Sequence, residues 1–75
     1  ETVLKLITAL AKEEGFTDRE VSREERRRFV EMLNDRGVFL VKGSVEYAAD
    51  VIGVSKVTIY SDLDSVRRKQ ADAGK

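Results

Sequence analysis

Apolar residues recur at helical spacing through most of the chain. Val3, Leu6, Ile7, Leu10 and Ala11 fall at steps of three and four, which makes one helix face, widened by Leu4. Gly15 then supplies a residue suited to the left-handed conformation that ends helices. Thr17 with Glu20 and Ser22 with Glu25 both fit the spacing of a capping box, in which the side chains at the two ends satisfy each other's backbone N–H groups. The next apolar stripe, Phe29, Val30 and Leu33, starts after Ser22, so a second helix is predicted from Arg23 to Arg36, with Gly37 as its stop and Thr17 opening only a short turn. Val38 to Val41 is a short apolar run of strand-like composition with no partner strand in view, and it reads as an extended, buried connector. Ser44 is the expected N-cap of a third helix that carries Ala48, Ala49, Val51 and Ile52 and ends at Gly53. Ser55 caps a fourth, with Ile59, Leu63 and Val66 on one face, running to about Lys69. The polar residues 70–75 are expected to fray. With no proline to interrupt it, the chain is expected to be all-α, a small bundle of about four helices. Residues 1–15 form an N-terminal helix available as a linker or dimerisation segment, and residues 16–69 form the main domain.

Residues 44–63 meet the requirements of two short helices joined by a tight turn. Helices that cross steeply need a small residue at the contact, and Ala49 stands four before Gly53. The turn needs a residue tolerant of positive φ, which Gly53 is. Val54 can plug the core, Ser55 can cap, and Ala48, Ile52, Ile59 and Leu63 provide the buried faces. This is the pattern of a helix-turn-helix, whose second helix reads the DNA major groove. A helical module using the same packing for a protein partner or for dimerisation is the alternative.

Charge and composition narrow the chemistry. The 14 basic and 14 acidic side chains cancel, which argues against nonspecific nucleic-acid binding but not against a reader whose charges are sorted by face. There is no cysteine and no histidine, so disulfides, thiolate chemistry and the usual zinc ligands are excluded, and the commonest general base is missing. No paired-carboxylate, phosphate-loop or metal pattern stands out; catalysis and a cofactor are not expected. No signal-peptide pattern and no run of membrane-spanning length occurs, so a cytoplasmic location is expected.

The segment Gly53 to Tyr60 (GVSKVTIY) resembles the G-[VI]-S-[RK]-x-T-[VIL]-Y stretch of bacterial helix-turn-helix regulators, including Fis-type domains. The wider stretch from Leu33 to Leu63 resembles the C-terminal domain of DauR-like (YheO-like) transcription regulators. That resemblance implies an output domain that binds a double-stranded DNA operator and follows a PAS-like sensor domain in the full-length protein; because one module this small buries limited DNA surface, a homodimer on two half-sites is expected. Val3, Leu6, Ile7 or Leu10 are then candidates for the self-contact. Lys56, Val57, Tyr60 and Ser61 are the expected outward positions of the reading helix, with Thr58 near its first turn. Lys56 can reach a guanine edge or a phosphate, or be an ordinary solvated lysine. Thr58 either meets a phosphate or a thymine methyl, or closes back onto Ser55. Tyr60 either contacts the nucleic acid or packs its ring on helix two. Ser55 is a cap first, with backbone N–H groups beside it that suit a phosphate. Lys42, ahead of helix three, can clamp a phosphate or be a plain surface lysine. Ser61 and Asp62 stand where many relatives have tyrosine or a basic residue, so Asp62 should point away from DNA or accept from a cytosine amino group. Arg67 and Arg68 read as a solvated helix end, the arginines of helix two as a salt-bridged solvent face, and Phe39 and Tyr47 as packing residues.

Overall fold

Each helix begins and ends where local chemistry dictates. In the computed structural model, which describes residues 2–73, α1 spans Val3–Glu13, α2 Arg23–Asp35, α3 Ser44–Ile52 and α4 Lys56–Ala73. Thr2 opens α1 by accepting the Lys5 N–H at 3.2 Å. At its other end Gly15 adopts φ 76°, the Gly15 N–H donates to the Lys12 carbonyl, and the Phe16 N–H donates to the Ala11 carbonyl at 2.9 Å. This double closure turns the chain and drives the residue after the glycine inward. Phe16 is accordingly buried, edge-on to Phe29 with ring centroids 5.5 Å apart.

Of the two possible starts for α2, the chain uses Ser22. Its hydroxyl accepts the Glu25 N–H, and the Glu25 carboxylate accepts the Ser22 N–H, both at 3.1 Å. Arg19 grips the same carboxylate with two N–H groups at 2.9 and 2.7 Å, while its guanidinium lies over the Phe16 ring.

The stretch after α2 differs from expectation. Val38–Leu40 is a single 3₁₀ turn, not an extended connector, and only Val38 is fully buried; Leu40 is 86% exposed and Val41 is also exposed. Gly37, left-handed directly after α2, reverses the chain, and the Leu40 N–H donates to the Gly37 carbonyl and the Val41 N–H to the Val38 carbonyl, which closes the turn; of the run only Val41 is extended, and a second left-handed glycine, Gly43, follows before α3. Gly43 also displaces Ser44 from the cap. Its carbonyl accepts the Tyr47 N–H, which makes Ser44 the first residue inside α3, with its side chain turned into the interior. The Ser44 hydroxyl has no hydrogen-bond partner among the described residues.

α1 packs on α3, α2 on α4, and α3 against α4, while the 3₁₀ turn closes the end between α2 and α3. One core joins Ile7 and Ala11 of α1, Phe29, Val30 and Leu33 of α2, Ala48, Ala49 and Ile52 of α3, and Ile59, Leu63 and Val66 of α4. Among the described residues there are four α-helices and no strand. α1 is thus a wall of the core. Ile7 is fully buried and not free for a self-contact, whereas Val3, Leu6 and Leu10 are partly exposed along the edge of the stripe. α4 also runs past the expected fraying point: Gln70 bridges Asn34 and Asp35 of α2, holding helix through Ala73. The rest of the expected frayed tail, residues 74 and 75, lies outside the described residues.

Candidate nucleic-acid interface

The turn between α3 and α4 repeats the device that ends α1. Gly53 takes φ 74°, its N–H donates to the Asp50 carbonyl, and the Val54 N–H donates to the Ala49 carbonyl at 2.9 Å. Val54 packs onto the core behind the turn, and Ala48 and Ala49 are both buried where α3 meets its neighbours. Ser55 caps α4: its hydroxyl accepts the Thr58 N–H at 3.3 Å and lies 3.0 Å from the Thr58 hydroxyl. Thr58 therefore closes onto the cap and is only partly exposed.

The buried face of α4 is made by Ile59, Asp62, Leu63 and Val66. The helical repeat puts Val57 and Ser61 at the middle of the opposite face, with Lys56 and Tyr60 on its flank. All four side chains are exposed, Val57 by 70% and Tyr60 by 50%. Tyr60 does not pack on α2. It borders an open groove of about 690 Å³ between α4 and the 3₁₀ turn that leads into α3. Lys42 lines the same groove from the other side, and Arg67, three turns along α4 from Lys56, lines it from the α4 side. Arg67 is solvated, as expected, and also borders this groove, and its spacing from Lys56 and Tyr60 on one side of a helix was the signal available for that placement. The groove also carries Glu46 and Asp64; Asp64 is held by Arg68 at 3.0 Å.

Asp62 looks the other way. It is 2% exposed and forms a two-pronged ion pair with Arg26 of α2, with Nη2 to Oδ1 at 3.1 Å and Nε to Oδ2 as the second prong. Arg27 adds its Nε at 3.6 Å. The carboxylate pushes the Arg26 guanidinium pKa further up, through its hydrogen bonds first. The arginines of α2 are therefore only in part a solvent face: Arg28 pairs with Glu24 at the surface, but Arg26 is drawn inward. By contrast Lys42, Lys56 and Arg67 make no ion pair among the described residues. The chain is neutral in total, yet Lys42, Lys56 and Arg67 stand uncommitted beside the turn and its groove, as Lys5, Lys12, Arg23 and Arg36 do elsewhere.

No group of His, Cys, Asp or Glu among the described residues is arranged to hold a metal ion, and no helix is long and apolar enough to cross a membrane. Comparisons with curated proteins and with solved structures gave no match. A family model described as an HTH domain does match, over residues 2–64, which takes in α1, α2, the 3₁₀ turn, α3, the glycine turn and the first half of α4. With its glycine turn, serine cap and exposed second helix in place, the chain belongs to the helix-turn-helix (HTH) domain family, whose general use is DNA binding.

Proposed function

We propose that this chain is the DNA-binding output domain of a bacterial transcription regulator, reading an operator by seating the N-terminal half of α4 in the major groove. The observation that carries the reading is the exposed set Lys56, Val57, Tyr60 and Ser61, on the face of α4 turned away from the core and flanked by the unpaired cations Lys42 and Arg67. Thr58 and Ser55 serve the cap and leave backbone N–H groups at the helix start for a phosphate. The resemblance to DauR-like regulators supports an upstream sensor domain and a cytoplasmic home. A domain this small covers roughly 600–1,000 Å² of DNA, so two copies on two half-sites supply the specificity, with the edge residues Val3, Leu6 and Leu10 of α1 as the self-contact.

The test is retention from a randomised duplex pool at graded salt, followed by sequencing. We expect a salt slope set by about three or four phosphates per subunit. Lys56→Ala should lower affinity for the selected site by about 1–3 kcal/mol if Lys56 reads a guanine, and should weaken all duplexes alike if it meets only phosphate. The apolar content of the groove is what favours a protein partner instead. Absence of salt-dependent binding to any duplex, even by a tethered dimer, would decide for that second reading.

A further inference from the structure

The large apolar side chains left exposed in this molecule are not scattered. They are Leu4, Leu40, Val41, Val57 and Tyr60, and all but Leu4 lie at the end of the 3₁₀ turn, on the residue that follows it, or on the outer side of α4. Val57 is the clearest case. It stands in the first turn of α4, at the middle of the face opposite Ile59, Leu63 and Val66, and 70% of it is open. Folding does not use it, and a β-branched residue in a helix is slightly disfavoured over lysine or glutamate. Its neighbours define what it meets. Lys56 precedes it, Tyr60 and Ser61 follow one turn on, and the adjoining groove carries the unpaired Lys42 and Arg67 together with Glu46 and with Asp64, whose charge Arg68 offsets. An apolar spot with the unpaired Lys56 beside it, and two more unpaired cations in the adjoining groove, is matched by a surface that is negative at its edges and apolar at one point. Duplex DNA offers that combination in the major groove, where the only apolar group on any base edge is the thymine C5-methyl.

We propose that Val57 is a specificity-determining residue that packs on a thymine methyl, so that each half-site carries a thymine at a fixed place beside the pair met by Lys56. The inference rests on the DNA-binding reading above. Val57 holds no hydrogen-bonding group, so it reads the methyl by burial alone and rejects the same pair when the methyl is missing.

The experiment takes the duplex retained most tightly from the randomised pool and replaces its thymines one at a time by deoxyuridine, which removes the methyl and keeps the pairing. The wild-type chain should lose about fourfold in affinity at one thymine per half-site, the factor that one buried methyl is worth. Val57→Ala should bind the thymine and deoxyuridine duplexes at that position equally, while Glu13→Gln, at an exposed residue of α1 outside this face, keeps the wild-type discrimination. Circular dichroism should show both variants folded, since both side chains are exposed. Three results overturn the proposal: wild type binding the pool while no single replacement matters, Val57→Ala keeping the full sensitivity, or a concentration-dependent dimer that Val57→Ala abolishes, which would make the patch a contact with a second copy. If the wild-type chain binds no duplex at all, the DNA-binding reading itself fails, a result distinct from the other three.

Discussion

Asp62 sits on the helix assigned to DNA and belongs entirely to the interior. Removing its carboxylate leaves the Arg26 guanidinium, 16% exposed, without the partner that compensates its loss of water. Asp62→Ala should destabilise the domain by roughly 3–5 kcal/mol, the usual cost of stranding one member of a buried pair. That is a large part of the stability of a small domain, and urea unfolding would show it. Replacing both members, as Arg26→Met with Asp62→Leu, should recover most of the loss, because an apolar pair of similar volume needs no compensation. Ala49→Leu tests the register of the turn: overpacking at this buried position should lower stability by about 1–3 kcal/mol, and an unchanged thermal midpoint would mean that no helix crosses there. The two residues differ in how legible they were. Ala49 announces itself by standing four residues before a glycine. Asp62 could be expected to avoid DNA, but its partner lies 36 residues away inside a run of arginines, and no local spacing marks Arg26 off from Arg27 or Arg28.

Among the elements, helix starts and stops were legible wherever a side chain close in sequence settles them. The capping box at Ser22 and the glycine closures at Gly15 and Gly53 are such cases. Phe16 was missed, although an apolar residue directly after a helix-ending glycine is the usual companion of that closure. The run Val38 to Val41 was misread because composition favours a strand, while the flanking glycines decide the backbone. The α2 cap makes a prediction about acid. Glu25 is held down to about 2, first by its hydrogen bonds from Arg19 and then by the Ser22 N–H. Its carboxyl is thus more acidic in the folded chain than in the unfolded one. The stabilisation it brings is whole at neutral pH, and drains away as pH falls from the ordinary carboxylate range through about 2. Glu25→Gln should flatten the stability-against-pH curve in that window, as followed by helix signal in an acid titration; an unchanged curve would mean that the box carries no acid dependence. Ser22→Ala should cost about 1 kcal/mol at neutral pH.

For the molecule as a whole, net charge conceals more than it reveals. The 14 acids and 14 bases cancel, but many of the arginines are tied up in ion pairs and the cations beside the groove are not. The double variant Lys42→Ala with Arg67→Ala should therefore flatten the salt dependence of duplex binding by about two units with the fold intact; an unchanged slope would place DNA elsewhere. The bundle and its motif were readable because they rest on periodic burial, whereas the groove, built from a mis-assigned connector and a distant turn of α4, was not. The arrangement of α4 has one more outcome. Its inner ridge of Ile59, Asp62, Leu63 and Val66 carries the packing, and its outer positions Val57, Tyr60 and Ser61 carry none of the core. What the helix recognises can then drift or be redesigned without endangering what holds it in place. A library randomised at those three positions should stay largely folded and, on the proposed DNA-binding reading, yield variants that select different duplexes, so that one scaffold carries many specificities.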